Sequence, residues 1–416
     1  LKIVKLVAIV SFLMLILILV FTDKFVYIIA SGFKGELLTL TIKFTRIAIL
    51  SLPVILISSV LNGYLQAQGK FNFEAFSGII LNLILIIFTI LSSREKTLFL
   101  PIGLMIAHIL QYLPIYIYLS KSKTKSKYKG IKILGDSEVR IFIKKSIPLI
   151  LGLGANQIAT IVDKNIASFI GDGAISFINY SSRIFFMILA TFVIPLSTIY
   201  FNEFSKNIAE KDICGLSKSV DESIGILNFI MIPVSLGLLV YSKQIISLIY
   251  YRGEFLLDDV LVVYKILRIY GIGILFESYN EIFTRLMYAN SMEKTTMKFM
   301  FLTNFVNLLV SLILYRIQGI YGIITGTLVS ILFRFILNYR YIRKNIVEIK
   351  IINKKVIKIF INSVISIIGI RYLIYPGNNL MFLKSCIFIV LLYLIFSYIF
   401  KVEEMRKIIN EIKIKL

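Results

Sequence analysis

Hydrophobic residues dominate the chain in runs of about 20, and short polar segments separate the runs. A helix rises about 1.5 Å per residue, so a run of this length crosses a hydrocarbon core of about 30 Å. The pattern predicts an all-α fold with about twelve transmembrane helices. The predicted spans cover residues 4–22, 40–64, 74–93, 98–119, 146–169, 175–201, 222–241, 260–288, 297–315, 319–339, 355–375 and 380–400.

Three further segments are predicted to lie on the membrane surface. Residues 24–33 and 243–251 are short and amphipathic, and each is closed by a turn that contains glycine. Residues 401–416 form a candidate amphipathic helix that is rich in lysine. Such helices bind anionic lipid surfaces, so anionic membrane lipids are expected partners of this chain.

The composition agrees with a membrane protein and excludes other classes. Hydrophobic residues make up 58% of the chain and charged residues 17%, with a mean hydropathy of +0.88. Soluble domains carry fewer apolar and more charged residues. Disordered, collagen-like and disulfide-rich chains are excluded on the same grounds. We therefore interpret the chain as a polytopic membrane protein.

Positive charge is concentrated in short loops between the apolar runs. The chain has 46 Lys and Arg against 23 Asp and Glu, a formal net charge of +23. These cations form no continuous basic face, so no nucleic-acid partner is expected. The loops at 121–145 and 340–358 are the richest, and the positive-inside rule places both in the cytoplasm. An even number of spans then places both termini there as well.

The basic segment 121–145 is also the best candidate for a linker between two helical lobes. Residues 1–120 are predicted to form an N-terminal lobe of about four spans, and residues 146–345 a C-terminal lobe of about six. Residues 346–416 add two helices and a cytoplasmic tail. Apolar sequence begins within a few residues of Leu1, so either an alternative start codon has been read literally or the chain lacks its true N-terminus.

The sequence lacks the residue patterns of redox, metal and hydrolytic sites. Cys214 and Cys386 fit no disulfide framework, and His108 cannot assemble a zinc site alone. The spans show no glycine-rich phosphate loop, paired carboxylates or Ser/His/Asp set. We expect no cofactor, no bound metal and no enzymatic activity. A transporter with a cationic cavity for an anionic or pyrophosphate-bearing substrate fits better.

The most informative charges lie inside two neighbouring spans. A charged side chain in mid-membrane costs about 2.5–3.5 kcal/mol, so it usually faces a bundle interior or an aqueous cavity. The candidates on these two spans are Asn156, Asp163, Lys164, Asn179 and Arg183. We predict that Lys164 and Arg183, restrained by Asp163, bind substrate in one cavity. The alternative is an Asp163–Arg183 ion pair that only holds the two helices together.

Other charged residues within the spans are weaker candidates. Lys43 and Arg46 lie one turn apart near the end of a span, and so do Lys265 and Arg268. Long side chains at such positions reach the membrane surface, and this snorkelling is the favoured interpretation. Lys43, Arg46 and Arg268 are kept as further candidate cavity residues.

Two stripes along the later spans have structural interpretations. Glu277, Glu281 and Arg285 repeat every four residues, and pairing within this stripe is favoured over a proton path. Close packing of helices is expected at a run of small residues, namely Gly319, Gly322 and Gly326.

Several strings resemble the MurJ (MviN) family of lipid II flippases, in the multidrug/oligosaccharidyl-lipid/polysaccharide (MOP) superfamily. Residues 61–71, Leu-Asn-Gly-Tyr-Leu-Gln-Ala-Gln-Gly-Lys-Phe, are similar to the segment after that family's fourth helix. Residues 163–183 look like its seventh and eighth helices, and residues 251–259 look like the loop before its tenth. The resemblance covers nearly the whole chain in order.

The resemblance implies a fold of fourteen helices in two lobes around a central cavity. This chain aligns from the third helix onward, so the first two are expected to be missing and the N-terminal lobe, residues 1–120, is expected to be incomplete. The implied activity is to move lipid II, a polyprenyl-pyrophosphate-linked cell-wall precursor, across the bacterial cytoplasmic membrane by alternating access, for peptidoglycan synthesis. Arg183 matches a cavity arginine of the family, whereas Phe186 stands where some members carry an acid.

The spans at 355–375 and 380–400 resemble an extra helix pair that forms a groove for the lipid tail. Two alternatives remain open at this point. One is a flippase for another lipid-linked oligosaccharide, such as an O-antigen, capsule or spore polysaccharide precursor. The other is a truncated membrane protein that does not transport. The sequence identifies no coupling ion.

Overall fold

A computed structural model describes most of the chain, and every regular element in that part is a helix, which confirms the all-α fold. The described residues are 2–68, 70, 72–92, 97–121, 140, 154, 157, 159–171, 173–351, 353–373 and 378–405. The chain divides into two compact units at residues 153 and 154. Most of the predicted linker 121–145 lies outside the described residues.

Unit 1 consists of short helices that combine into longer rods. Its helices are α1 (Lys2–Val20), α2 (Thr22–Ile29), α3 (Gly35–Ala48), α4 (Leu52–Ala67), α5 (Asn72–Leu91), α6 (Phe99–Gln111) and α7 (Leu113–Lys121). A 3₁₀ turn joins α3 to α4 next to Pro53, and Pro114 follows the break between α6 and α7. Proline lacks the backbone N–H of a regular helix, so the rods bend at these places without ending.

Unit 2 contains longer helices. They are α8 (residues 159–168), α9 (Ala174–Ile188), α10 (Ile194–Ala209), α11 (Ile213–Tyr250), α12 (Leu257–Ala289), α13 (Glu293–Gln318), α14 (Ile320–Asn345), α15 (Lys354–Leu373) and α16 (Asn379–Ile399). A π-helical turn at Leu189–Val193 joins α9 to α10. The core of the unit lies along α11, α12 and α14.

Nine helices in the described part are long and apolar enough to cross a membrane. The segment Phe76–Leu91 of α5 is a shorter apolar helix. α12 is not among the nine, because its charged residues are spread along its length, and α8 is only partly described. The number of twelve spans therefore stays a prediction. Residues 243–250 continue α11 without a break, so they do not form a separate helix, and their location at the membrane surface stays a prediction.

Polar side chains tie α15 and α16 to α11. Pro233 lies inside α11 and cannot donate to the carbonyl of Phe229, one turn earlier. The hydroxyl of Tyr393 on α16 donates to this carbonyl at 2.7 Å. Asn362 on α15 donates to the Tyr393 carbonyl at 3.2 Å and to Ser397 Oγ at 2.7 Å. The backbone group left by proline thus becomes the attachment point of the last two helices.

A second polar network joins α12 to α14. Arg334 Nη2 forms an ion pair with Glu277 Oε1. Asn280 Nδ2 donates to the Ile331 carbonyl at 3.1 Å, and Asn338 Nδ2 donates to Asn280 Oδ1 at 3.1 Å. The side chains of Glu277 and Arg334 are only 22% and 17% exposed, so neither charge is solvated by much water.

α13 and α14 cross at two glycines. A Cβ atom at Gly322 would overlap the carbonyl of Leu314, and one at Gly326 would overlap Ser311. The predicted close packing is therefore confirmed at both positions. Gly319 has a different role from the predicted one. It has a φ of +57° and forms the turn between α13 and α14, with nothing close to its Cβ direction.

Replacing Gly322 by alanine tests this crossing. The new methyl group overlaps the Leu314 carbonyl, and overpacking of this kind costs about 1–3 kcal/mol. We expect purified Gly322→Ala protein to unfold at a lower temperature than the parent in the same detergent. Gly237→Ala is the matched control, because nothing lies within 4 Å of the methyl group there. Equal melting temperatures for the two variants would contradict the close packing.

Removing one partner of the Glu277–Arg334 pair tests the α12–α14 network. Glu277→Gln leaves Arg334 without a counter-charge, which costs up to about 3–5 kcal/mol at a fully buried site and less at these exposures. We expect a lower melting temperature for Glu277→Gln. The double variant Glu277→Met with Arg334→Met should melt closer to the parent, since it leaves no unpaired charge. Equal melting temperatures for Glu277→Gln and the double variant would show that the ion pair does not stabilise the fold.

Candidate functional site

Four of the five predicted binding residues fall on two consecutive helices of unit 2. Two are on α8 and two on α9, namely Asp163, Lys164, Asn179 and Arg183. Asn156 lies outside the described residues. The turn between the helices contains Gly171, with a φ of +142°, and Gly173, with a φ of +83°. Residues with a Cβ atom rarely adopt these backbone conformations. This turn connects α8 to α9.

α9 is amphipathic, and one face of it packs on α12. Its buried residues recur at helical spacing: Ala174, Ile178, Ser181, Ile184 and Phe185. Ser181 Oγ donates to the Val263 carbonyl of α12 at 3.0 Å. The ring of Phe185 lies 4.9 Å from that of Tyr270, also on α12. The position and rotation of α9 are therefore fixed by α12.

Arg183 lies on the opposite face of α9 and is exposed. Beside it the ring of Tyr180 lies 4.8 Å from that of Tyr250 and 5.2 Å from that of Phe255. The Tyr250 hydroxyl donates to the Tyr180 carbonyl at 3.2 Å and is within electrostatic range of Arg183. Within the described part of the chain, no acidic side chain pairs with Arg183. Its charge is therefore available to a ligand.

The side chain of Asp163 bonds to neither Lys164 nor Arg183, the two partners that the sequence suggested. Asn307 Nδ2 on α13 donates to both carboxylate oxygens, at 3.3 and 3.1 Å. Ser311, one turn along α13, donates to Asn307 Oδ1 at 3.4 Å and to the Ile323 carbonyl of α14 at 3.3 Å. Asp163 thus attaches α8 to α13. Among the residues that can be described, no ion pair joins it to Lys164 or Arg183.

The remaining members of the predicted site are less constrained. Lys164 and Asn179 are both partly buried. Across the described ranges, neither side chain has a hydrogen bond or an ion pair. They therefore retain their hydrogen-bonding capacity on the two helices that also carry Asp163 and Arg183.

The three additional candidate residues are carried by other helices. Lys43 and Arg46 are exposed on α3 of unit 1, and Arg46 Nη2 pairs with Asp23 at 3.3 Å. Arg268 is exposed on α12, with its guanidinium carbon 5.2 Å from the centre of the Tyr264 ring. Exposure and an aromatic neighbour agree with side chains that reach the membrane surface.

The α12–α14 network was missed by sequence reasoning. Pairing within the stripe is correct for Glu281 and Arg285, whose Oε1 and Nε lie 3.1 Å apart. Glu277 instead pairs with Arg334, which the sequence analysis did not single out. The available signal was the presence of Arg334 and Asn338 one turn apart within an apolar span.

A cavity of about 830 Å³ opens in unit 2 between α11, α12, α14 and α15. Its walls are largely apolar and include Leu239, Leu275, Phe335 and Phe360. Three charged residues line one end of it: Arg343, Glu348 and Lys350. α15 contributes to the walls of this cavity, and the tail groove that the resemblance implies for the last two helices stays a prediction. No described residue of α16 lines it.

The described residues bring no three His, Cys, Asp or Glu side chains together in a way that could hold a metal ion. Cys214 and Cys386 are both free thiols. The described site offers the cations Lys164 and Arg183 and the amide of Asn179, which suit binding of an anion, and its one carboxylate, Asp163, is bonded to Asn307.

The chain is similar in sequence to known lipid II flippases. The sequence model of a family described as Lipid II flippase MurJ matches residues 1–396. A probable lipid II flippase MurJ from Helicobacter pylori is 27% identical over 335 residues, which cover 75% of this chain and 72% of that protein. One from Rickettsia prowazekii is 28% identical over 347 residues, which cover 82% of this chain and 68% of that protein.

Solved structures show the same fold. A lipid II flippase MurJ in an inward closed conformation matches with a TM-score of 0.83 at 25% identity, over 96% of this chain and 82% of that one. An inward-facing multidrug resistance MATE transporter of the MOP superfamily matches with a TM-score of 0.70, over 82% of this chain and 79% of that one. At 15% identity the second likeness concerns the fold alone.

The family match extends over both compact units and confirms the resemblance that the sequence motifs suggested. The long apolar helices in each unit agree with it, since they make the chain a multi-pass membrane protein. This chain belongs to the MurJ family of lipid II flippases.

Proposed function

We propose that this chain moves lipid II across the cytoplasmic membrane by alternating access, with Arg183 as its principal ligand for the pyrophosphate. Family membership supplies the substrate class. The site assignment depends on one observation: Arg183 has no acidic partner in the described structure. Arg183 lies about 13 Å along α9 from Ala174, because a helix rises about 1.5 Å per residue. Guanidinium and phosphate form strong, bidentate, charge-assisted hydrogen bonds.

The neighbouring polar residues are assigned supporting roles. Lys164 adds a second cation for the head group, and Asn156 and Asn179 supply amide groups for its polar atoms. Asp163 positions α8 by its bonds to Asn307 and does not contact the substrate.

Three exposed cations, Lys43, Arg46 and Arg268, are further cavity candidates in this proposal. The lobes move around the head group, and the polyprenyl tail stays in lipid or in the apolar cavity beside α15. Residues 401–416 rest on anionic lipids, although those beyond 405 lie outside the described residues.

The proposed orientation places both termini in the cytoplasm. It is supported by the basic loops 121–145 and 340–358, which the positive-inside rule assigns to the cytoplasmic side. The turn between α11 and α12 then faces the outside of the cell. No coupling ion is assigned.

Arg183→Ala tests the site. A hydrogen bond to a charged group contributes about 1.5–3 kcal/mol, so its loss should slow flipping at least about tenfold. Flipping is measured in proteoliposomes by the access of an added hydrolase to lipid II. Arg183→Lys should retain partial activity, because it keeps the charge and loses the planar fork.

The matched control for this experiment is Arg316→Ala, which removes an exposed arginine from the last turn of α13. It should flip lipid II at the parental rate. All variants are compared at equal membrane content, since Arg183 is exposed and its removal should not prevent insertion. Parental flipping by Arg183→Ala would refute the assignment of Arg183.

The orientation is tested by cysteine labelling. In a background with Cys214 and Cys386 replaced by serine, Glu254→Cys probes the α11–α12 turn and Lys350→Cys the segment after α14. A membrane-impermeant maleimide should label Glu254→Cys in intact cells and Lys350→Cys only after permeabilisation. The reverse pattern would invert the proposed topology.

A further inference from the structure

Two arginines line one small pocket in unit 2. The pocket has a volume of about 550 Å³ and lies where α11, α12 and α15 meet. Its lining residues are Leu239, Val240, Arg268, Ile368, Arg371 and Tyr372. Arg268 and Arg371 come from different helices, and both are exposed. The pocket is separate from Arg183, which is not among its lining residues.

Each guanidinium is held in place by neutral groups. Arg371 Nη1 donates to the Val240 carbonyl at 2.7 Å, and its guanidinium carbon lies 5.9 Å from the centre of the Tyr241 ring. Arg268 lies over the ring of Tyr264. These contacts fix the side chains without neutralising them. Over the described ranges neither arginine pairs with an acid, so two uncompensated positive charges face one pocket.

The pocket lies at one end of the membrane-crossing part of α15. Arg371 is in the last turn of that helix, and Tyr372 and Leu373 after it are 87% and 78% exposed. In the proposed orientation this end faces the outside of the cell. The level of Arg371 is therefore the outer boundary of the membrane, where phosphate groups of lipids lie.

The same pocket adjoins the apolar cavity. Leu239 lines both, so the cationic pocket lies next to the 830 Å³ space beside α15. A ligand with an anionic head and a long apolar chain would place its head at the arginines and its chain along Leu239. Neither a soluble anion nor an uncharged lipid would use both parts.

Charge matching distinguishes between the lipids that have this shape. A phospholipid such as phosphatidylglycerol brings one negative charge at its phosphodiester, whereas a pyrophosphate brings at least two to the two arginines. We propose that Arg268 and Arg371 form a second binding site, for the pyrophosphate of the polyprenyl-linked substrate after it has reached the outer leaflet. This inference rests on the proposed function and orientation. The site holds the translocated lipid before its release.

Counting bound probe molecules tests the site. Purified full-length protein is titrated with farnesyl pyrophosphate, and native mass spectrometry counts the molecules bound. Arg183 should also bind the probe, and this binding should persist in the double variant that combines Arg268→Gln and Arg371→Gln. The parent should therefore bind one probe molecule more than the double variant. We expect the affinity at this second site to fall at least about tenfold in the double variant.

Two controls keep the outcome interpretable. Arg316→Gln removes one exposed arginine that does not line the pocket, and it should keep the parental number of bound molecules. The conservative variant Arg268→Lys with Arg371→Lys keeps both charges, so it should bind more weakly than the parent and more tightly than the glutamine variant. Equal elution volumes in size exclusion show that all variants are folded.

Specific outcomes overturn the inference. An unchanged number of bound probe molecules in the glutamine variant excludes the site. Loss of the second bound probe on adding an equal concentration of phosphatidylglycerol assigns the pocket to phospholipids instead. Failure of the proposed function is a separate result: the parent would not flip lipid II, or Arg183→Ala would flip it normally, whatever the probe count at the arginine pair.

Discussion

The hydrocarbon core of a membrane contains no water, so a polar group that enters it must find its partner within the protein. In unit 2 this requirement decides which helices are neighbours. Ser181 on α9 donates to a carbonyl of α12, and Tyr393 on α16 donates to the carbonyl that Pro233 leaves free on α11. Apolar surfaces fit against lipid as well as against one another, and it is these directed bonds that specify particular pairs of helices.

The same requirement separates structural charges from those that can bind a ligand. Glu277 and Arg334 satisfy each other across α12 and α14 and leave little for a substrate. Arg183 lies on a helix that packs on α12, next to the paired rings of Tyr180 and Tyr250, and no acid neutralises it in the described structure. A cation without an acidic partner keeps its attraction for an anion. This difference, rather than depth in the membrane alone, makes Arg183 the stronger functional candidate.

Each of the two helices that carry the predicted site is anchored to a different neighbouring helix. α8 is attached to α13 through Asp163 and Asn307, and α9 is attached to α12 through Ser181. Because each helix has its own anchor, Lys164 and Arg183 do not need to pair with Asp163 to stay in place. Their charges can therefore serve a pyrophosphate group, which fits the membership of the chain in a family of lipid II flippases.

The sequence by itself determined the helical fold, the membrane class, the family and the helices on which the candidate site residues lie, because apolar runs, loop charges and short motifs are local properties. It did not determine the partners. Asp163 bonds to Asn307, 144 residues away, and α11 continues to Tyr250 through a segment whose amphipathic pattern also suits a separate surface helix. Local pattern cannot distinguish between such outcomes, since the choice depends on which distant helix supplies a matching donor or apolar face. Only the tertiary structure brings those groups together.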